Sequence, residues 1–118
     1  MYKNFRDFKV WEKSHDLVKD TYNSRFNFDG GEKYGLNSQI RRAAVSIPAN
    51  IAEGCERRNN KEFVQFLYIA KGSLSELRYY LLLCSELHFL SEVDFKRLND
   101  KCEQVNKMLS SLISKIPV

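Results

Sequence analysis

The chain has 118 residues, 43% of them hydrophobic and 29% charged, with a net charge of +4 and a pI of about 9.0. That is the length of one domain, over residues 1–118, able to bury a core without disulfides or metal, and its regularly spaced apolar residues exclude disorder. A membrane span is excluded too, since the longest apolar run, Tyr79 to Cys84, falls far short of the ~20 residues required.

Four helices follow in chain order, and no strand-like alternation persists. The first spans about Asp7 to Phe26, with Val10, Trp11, Leu17, Val18 and Tyr22 on one stripe, Asp7 as N-cap and Phe5 or Phe8 as staple. Asn27-Phe28-Asp29-Gly30-Gly31 ends it, because adjacent glycines favour turns. The second spans about Leu36 to Glu56, where Leu36, Ile40, Ala43, Ile47, Ile51 and Gly54 recur at helical steps. Pro48 lies inside it and predicts a kink rather than a break, since the stripe continues in phase. Ser46 or Asn50 is placed to satisfy backbone groups that the proline frees around Ala44.

The third helix spans about Asn60 to His88 and carries a heptad seam from Phe63 through Leu67, Ala70, Leu74, Leu77, Leu81 and Cys84 to His88. The fourth spans about Ser91 to Lys115, with Leu98, Cys102, Val105, Leu109, Leu112 and Ile116 as its seam. Ser91 and Asp94 resemble a capping box with Asp in place of Glu, and Pro117 helps to stop the helix. Two heptad helices joined by a tight turn pack as an antiparallel pair, and the first two helices cover them. The expected architecture is all-α, an antiparallel up-down-up-down four-helix bundle with crossing angles of roughly 20° and a second helix kinked at Pro48.

The third helix has more apolar surface than one seam needs. Phe66, Tyr68, Ile69, Tyr79, Tyr80, Leu82 and Leu83 fall nearly all round it. A helix apolar on most sides is buried on most sides, and a four-helix monomer leaves one side of each helix in water. Tyr68, Ile69, Tyr79, Leu82 and Leu83 are therefore expected to meet another subunit, with Gly72, Ser73 and Ser75 leaving a flat spot for close approach.

Catalysis has no visible carrier. Glu12 and His15 form one ExxH spacing, but a di-iron bundle needs a second, and Ser85 stands where His88 would need a glutamate. No phosphate-binding glycine loop, GxSxG or CxxC occurs, so neither metal nor cofactor is expected. The odd cysteine count, Cys55, Cys84 and Cys102, argues against a disulfide framework and suits a reducing cytoplasm. Met1 to Phe8 lacks the apolar core of a signal peptide.

Two polar constellations remain. Gln39, Arg42, Ser46, Asn50, Glu53 and Arg57 form a stripe on the second helix, read as a network that holds the helix around Pro48, at or near a subunit boundary. Arg57, Arg58 and Lys61 make a basic corner at the second turn, joined by Arg41 and Arg42, and between Tyr34 and Arg58 only Glu53 and Glu56 oppose the four arginines. On one monomer such a cluster is ordinary solvated surface. Repeated round a ring, it binds phosphates with strong salt dependence.

The run Leu36-Asn37-Ser38-Gln39-Ile40-Arg41-Arg42-Ala43-Ala44-Val45-Ser46-Ile47-Pro48-Ala49-Asn50-Ile51-Ala52-Glu53-Gly54 closely resembles the hallmark of the 23S rRNA intervening-sequence protein family, also called the S23 or four helix bundle protein family. Phe5-Arg6-Asp7-Phe8-Lys9-Val10-Trp11, Lys61-Glu62-Phe63-Val64-Gln65-Phe66-Leu67 and Gly72-Ser73-Leu74-Ser75-Glu76-Leu77 match as well, so the resemblance covers nearly the whole chain. It implies a four-helix bundle assembled into a cyclic homopentamer, with a link to nucleic acid and no enzyme activity. Members are encoded within intervening sequences of bacterial 23S rRNA genes, and similar proteins serve diversity-generating retroelements, where a basic pentamer contacts a reverse transcriptase and nucleic acid. The reading is a non-enzymatic cytoplasmic homo-oligomer that binds RNA or DNA through Arg41, Arg42, Arg57, Arg58 and Lys61. The alternative is an adaptor ring that binds another protein and no nucleic acid.

Overall fold

The computed structural model describes residues 4–28 and 30–118, with the backbone alone for 32 and 33. Met1 to Lys3, and Asp29 of the expected first stop, lie outside the described residues. The helices are α1 (Lys9–Asn23), α2 (Gly35–Cys55), α3 (Asn60–Glu86) and α4 (Glu92–Lys115), with 3-10 turns at Phe5–Asp7 and Gly30–Lys33 and no strand among the described residues. α1 packs on α2, α2 on α3 and α3 on α4, and α4 closes on α1, in a bundle of 47 × 23 × 19 Å. No helix among the described residues is long and apolar enough to cross a membrane.

The seams of α2, α3 and α4 form the core much as their spacing predicts: Ile40, Ile47, Ile51, Leu67, Leu74, Leu77, Leu81, Leu98 and Leu109 are closed to solvent. α1 differs. Its buried positions are Val10, Ser14, Leu17 and Thr21, while Trp11 and Val18 are half-buried and Tyr22 is exposed. Ser14 and Thr21 enter the core because each hydroxyl donates to a carbonyl of its own helix, Trp11 O and Leu17 O, both at 2.8 Å. The ends of α1 move too. Asn4, not Asp7, is the capping side chain, and it caps the 3-10 turn; the Asp7 carboxylate accepts the Asn4 N–H in return. α1 stops at Asn23, and Phe26 belongs to an extended connector in which it stacks on Phe28. Phe28 lies edge-on to Phe89, and Asn27 N–H donates to Phe89 O at 2.8 Å.

α2 runs unbroken through Pro48. The Asn50 carboxamide donates to Ser46 O (2.8 Å), not to the Ala44 carbonyl that the proline frees. At Gly54 a Cβ would stand 2.9 Å from atoms of Phe63 and Phe66, so α3 approaches α2 there as only glycine allows. α3 ends two residues earlier than its heptads suggest. His88 leaves the seam, adopts φ 63° and is exposed, while Phe89 N–H reaches Cys84 O (2.8 Å) and His88 N–H reaches Ser85 O (3.2 Å). That pair of bonds is a Schellman closure with histidine in the place glycine usually holds. Ser91 caps α4 by accepting from Asp94 N–H (3.1 Å), but the Asp94 carboxylate is taken by Arg97 instead of completing a box.

One polar clamp joins α1 to α4. Asp20 accepts from Arg97 at 3.0 and 3.1 Å and pairs with Lys101 at 2.7 Å, and Arg97 also donates to Ser24 Oγ. Burial pushes the Asp20 carboxyl up, but the bonds and charges of Arg97 and Lys101 outweigh it and hold the group below the usual carboxylate value.

Candidate functional site

The five expected phosphate-binding cations do not form one corner. Fourteen helical steps, a rise of roughly 21 Å, separate Arg41 from the end of α2 at Cys55, and Arg57 lies two residues beyond it. Arg57, Arg58 and Lys61 share the α2–α3 turn, whereas Arg41 and Arg42 stand far up α2 and diverge from each other. Arg41 lies over the Tyr22 ring, 4.4 Å from its centroid. Arg42 turns toward α3, donating to Gln39 Oε1 at 2.6 Å and meeting Glu76 at 3.5 Å. Glu76 also accepts from the Tyr80 hydroxyl at 3.1 Å, and burial together with that carboxylate raises the Tyr80 phenol above its ordinary value. Arg57 pairs with Glu53 and covers Phe66 at 4.5 Å. Arg58 and Lys61 are exposed and have no ion-pair partner among the described residues.

The polar stripe of α2 forms a network, and it lies on the seam with α3. Ser46 Oγ meets Ser73 Oγ at 2.8 Å, and Asn50 Nδ2 donates to Ser46 Oγ at 2.9 Å. Among the described residues no buried polar side-chain atom is left without a partner, so the network holds two helices of one chain in register and is complete as it stands.

Of the five expected interface residues, four stand open on the outer face of α3: Tyr68 (57% exposed), Ile69 (51%), Tyr79 (59%) and Leu82 (45%). Leu83 does not join them. One position on from Leu82, it turns toward its own subunit and packs half-buried against the core. Tyr68, Gly72, Ser75, Tyr79 and Leu82 make a second stripe at heptad steps, and a Cβ at Gly72 would meet nothing. Two shallow recesses flank the stripe on the α4 side. One, of about 500 Å³, is lined by Arg78, Tyr79, Leu82, Phe95 and Asn99, among others; the other, of about 230 Å³, by Tyr68, Lys71, Ser110 and Ile113, among others.

Two of the thiols, Cys55 and Cys102, are poor nucleophiles. Burial pushes Cys55 up to about 11, with Glu56 adding to it, and Cys102 up to about 12. All three cysteines are buried, and none forms a disulfide among the described residues. His15, of the ExxH spacing, stacks on Trp11 at 4.9 Å, and no three potential metal ligands gather among the described residues.

Residues 6–111 match the family model for the 23S rRNA-intervening sequence protein. The chain belongs to that family. All five cations and all five α3 residues fall inside the matched span. A crystal structure from Bacteroides thetaiotaomicron, described as a protein with unknown function from the S23 ribosomal protein family, superposes with a TM-score of 0.80. It is 27% identical and covers 88% of this chain and 97% of its own. No curated protein matches the chain significantly. Membership of the intervening-sequence family and that superposition establish the helical bundle.

The signal that sequence reasoning missed was Tyr22. Read as a core residue of α1, it is exposed and braces Arg41 instead. Its place at the end of the stripe, where α1 gives way to the connector, was the available clue.

Proposed function

We propose that this protein is a non-enzymatic scaffold of the bacterial cytoplasm. Copies assemble through the outer face of α3 into a closed ring, five-membered as the family resemblance implies. The ring binds nucleic-acid backbone as a ribonucleoprotein or reverse-transcriptase accessory. One observation carries the reading: Tyr68, Ile69, Tyr79 and Leu82 stand in water on a single regular helix, with the small residues Gly72 and Ser75 between them. Large apolar side chains gathered on one exposed helix mark interaction surfaces, and tyrosines flanking a small-residue gap suit a packed helix interface. Rotation about a ring axis then repeats Arg41, Arg58 and Lys61 once per subunit, converting scattered cations into a polyvalent surface. Three buried cysteines outside any disulfide suit a reducing compartment.

A second reading, an adaptor ring for another protein, is favoured by the prior engagement of Arg42 with Glu76 and of Arg57 with Glu53. Phosphate would have to compete with both carboxylates.

Light scattering combined with a salt-titrated gel shift tests the proposal. The expected mass is a multiple of 13.9 kDa that falls in the double variant Tyr79→Ser, Leu82→Ser. Retardation of RNA or DNA should weaken steeply as salt rises. A stable monomer at micromolar concentration sinks the ring. A ring that ignores both nucleic acids at low salt leaves the adaptor.

A further inference from the structure

A recess of about 330 Å³ opens where α1 gives way to α2, lined by Ser24, Phe26, Asn27, Phe28, Asn37 and Arg41. We propose that this recess seats a nucleotide, with the phosphate on Arg41 and the base against the Phe26–Phe28 wall and the two asparagine carboxamides. The proposal rests on the nucleic-acid reading above and names one specific contact within it.

Arg41 differs from the four arginines of this chain that form ion pairs. Arg42, Arg57, Arg78 and Arg97 each pair with a carboxylate. Arg41 is braced by a ring, Tyr22, at 4.4 Å. Stacking fixes the guanidinium plane and leaves its N–H edges available for bidentate contact with phosphate oxygens. A side chain already held in place also loses less freedom when a ligand arrives.

The walls fit the rest of a nucleotide. No carboxylate lines the recess among the described residues, and neither Asn27 nor Asn37 uses its carboxamide in a hydrogen bond there. Each carboxamide offers both a donor and an acceptor, the complement of a base edge. Phe26 and Phe28 stack in parallel, with centroids 5.2 Å apart and planes at 1°. They are anchored by Phe89 and by the Asn27 N–H bond to Phe89 O, so the aromatic wall is preformed. Aromatic faces stack any base, which predicts little base preference. Ser24 is a finished part of the wall: its hydroxyl donates to Asp20 O at 2.7 Å and accepts from Arg97 at 2.8 Å. The nearby Asp20 carboxylate is answered by Arg97 and Lys101, so it does not cancel Arg41. The volume lies at the lower end of small-ligand clefts.

The test is an NMR titration of the full chain with three probes: adenosine 5′-monophosphate, inorganic phosphate, and a short 5′-phosphorylated oligodeoxythymidylate. The mononucleotide should shift Asn27, Asn37 and Arg41 signals, and inorganic phosphate should bind about tenfold more weakly or worse, lacking the stacked base. Arg41→Gln, an exposed change whose fold the same spectrum verifies, should weaken the mononucleotide by about tenfold or more. Lys107→Gln, an exposed change on α4, should leave it unchanged. Tighter binding of the strand identifies a nucleotide within a chain as the occupant, and binding of the mononucleotide alone identifies a free one. Unmoved signals at millimolar mononucleotide, equal binding of inorganic phosphate, or wild-type affinity in Arg41→Gln overturns the recess. If the strand binds only through Arg58 and Lys61, the recess fails while the nucleic-acid reading stands. If no probe binds at low salt, both fail.

Discussion

On the inner face of α3, Phe63, Leu67, Ala70, Leu74, Leu77, Leu81 and Cys84 recur at steps of four and three and are closed to solvent. On the outer face Tyr68, Gly72, Ser75, Tyr79 and Leu82 recur at the same steps and stand open. Spacing alone therefore does not distinguish a core from an exposed face. Composition does. The inner seam is mostly leucine and packs on α2 and α4, and the outer one places the rings of Tyr68 and Tyr79 on either side of the small residues Gly72 and Ser75. The glycines tell the same story. Gly54 faces inward, where α3 presses against it; Gly72 faces outward, where nothing does.

Substitutions can separate the faces. Leu74→Ala should cost about 2–5 kcal/mol in urea unfolding, because it opens a cavity in the closed seam. Gly54→Ala should cost about 1–3 kcal/mol, since its methyl group has nowhere to go between Phe63 and Phe66. Asp20→Asn should cost about 1–2 kcal/mol at neutral pH, moderated by the water that Arg97 and Lys101 still meet. The Asp20 carboxyl titrates lower in the folded chain than in the unfolded one. Its contribution is thus complete above the ordinary carboxylate value, and disappears as pH falls below about 4 and through the lowered folded value. Unfolding curves of Asp20→Asn should accordingly converge with those of the parent in acid. Gly72→Ala should have the smallest effect and the opposite sign, a gain of about 0.5–1 kcal/mol in the dissociated chain from helix propensity. If copies pack closely across this face, the same change should reduce the mass seen by light scattering.

α3 and α4 were legible because their core positions hold the residues that hydropathy recognises. α1 was less so. Ser14 and Thr21 occupy core positions of its seam but look polar, and only their return bonds to Trp11 and Leu17 let them enter. Phe26 misled in the other direction: it is apolar and was read as the end of the helix, yet it serves a connector in which it stacks on Phe28, itself edge-on to Phe89. The end of α3 was overrun because His88 falls on the heptad, and nothing in its identity announces a left-handed φ. The basic residues were identified but not assembled. Adjacency put Arg41 beside Arg42, and the fold sends one to Tyr22 and the other to Glu76. A brace between residues on different helices has no periodic signature to read.

The tie between Asn27 and Phe89, with the aromatic trio around it, fastens the passage between the first two helices to the passage between the last two. A protease nick in this stretch should therefore leave the fragments held together. Lengthening it by a residue would tug on a corner far along the polypeptide.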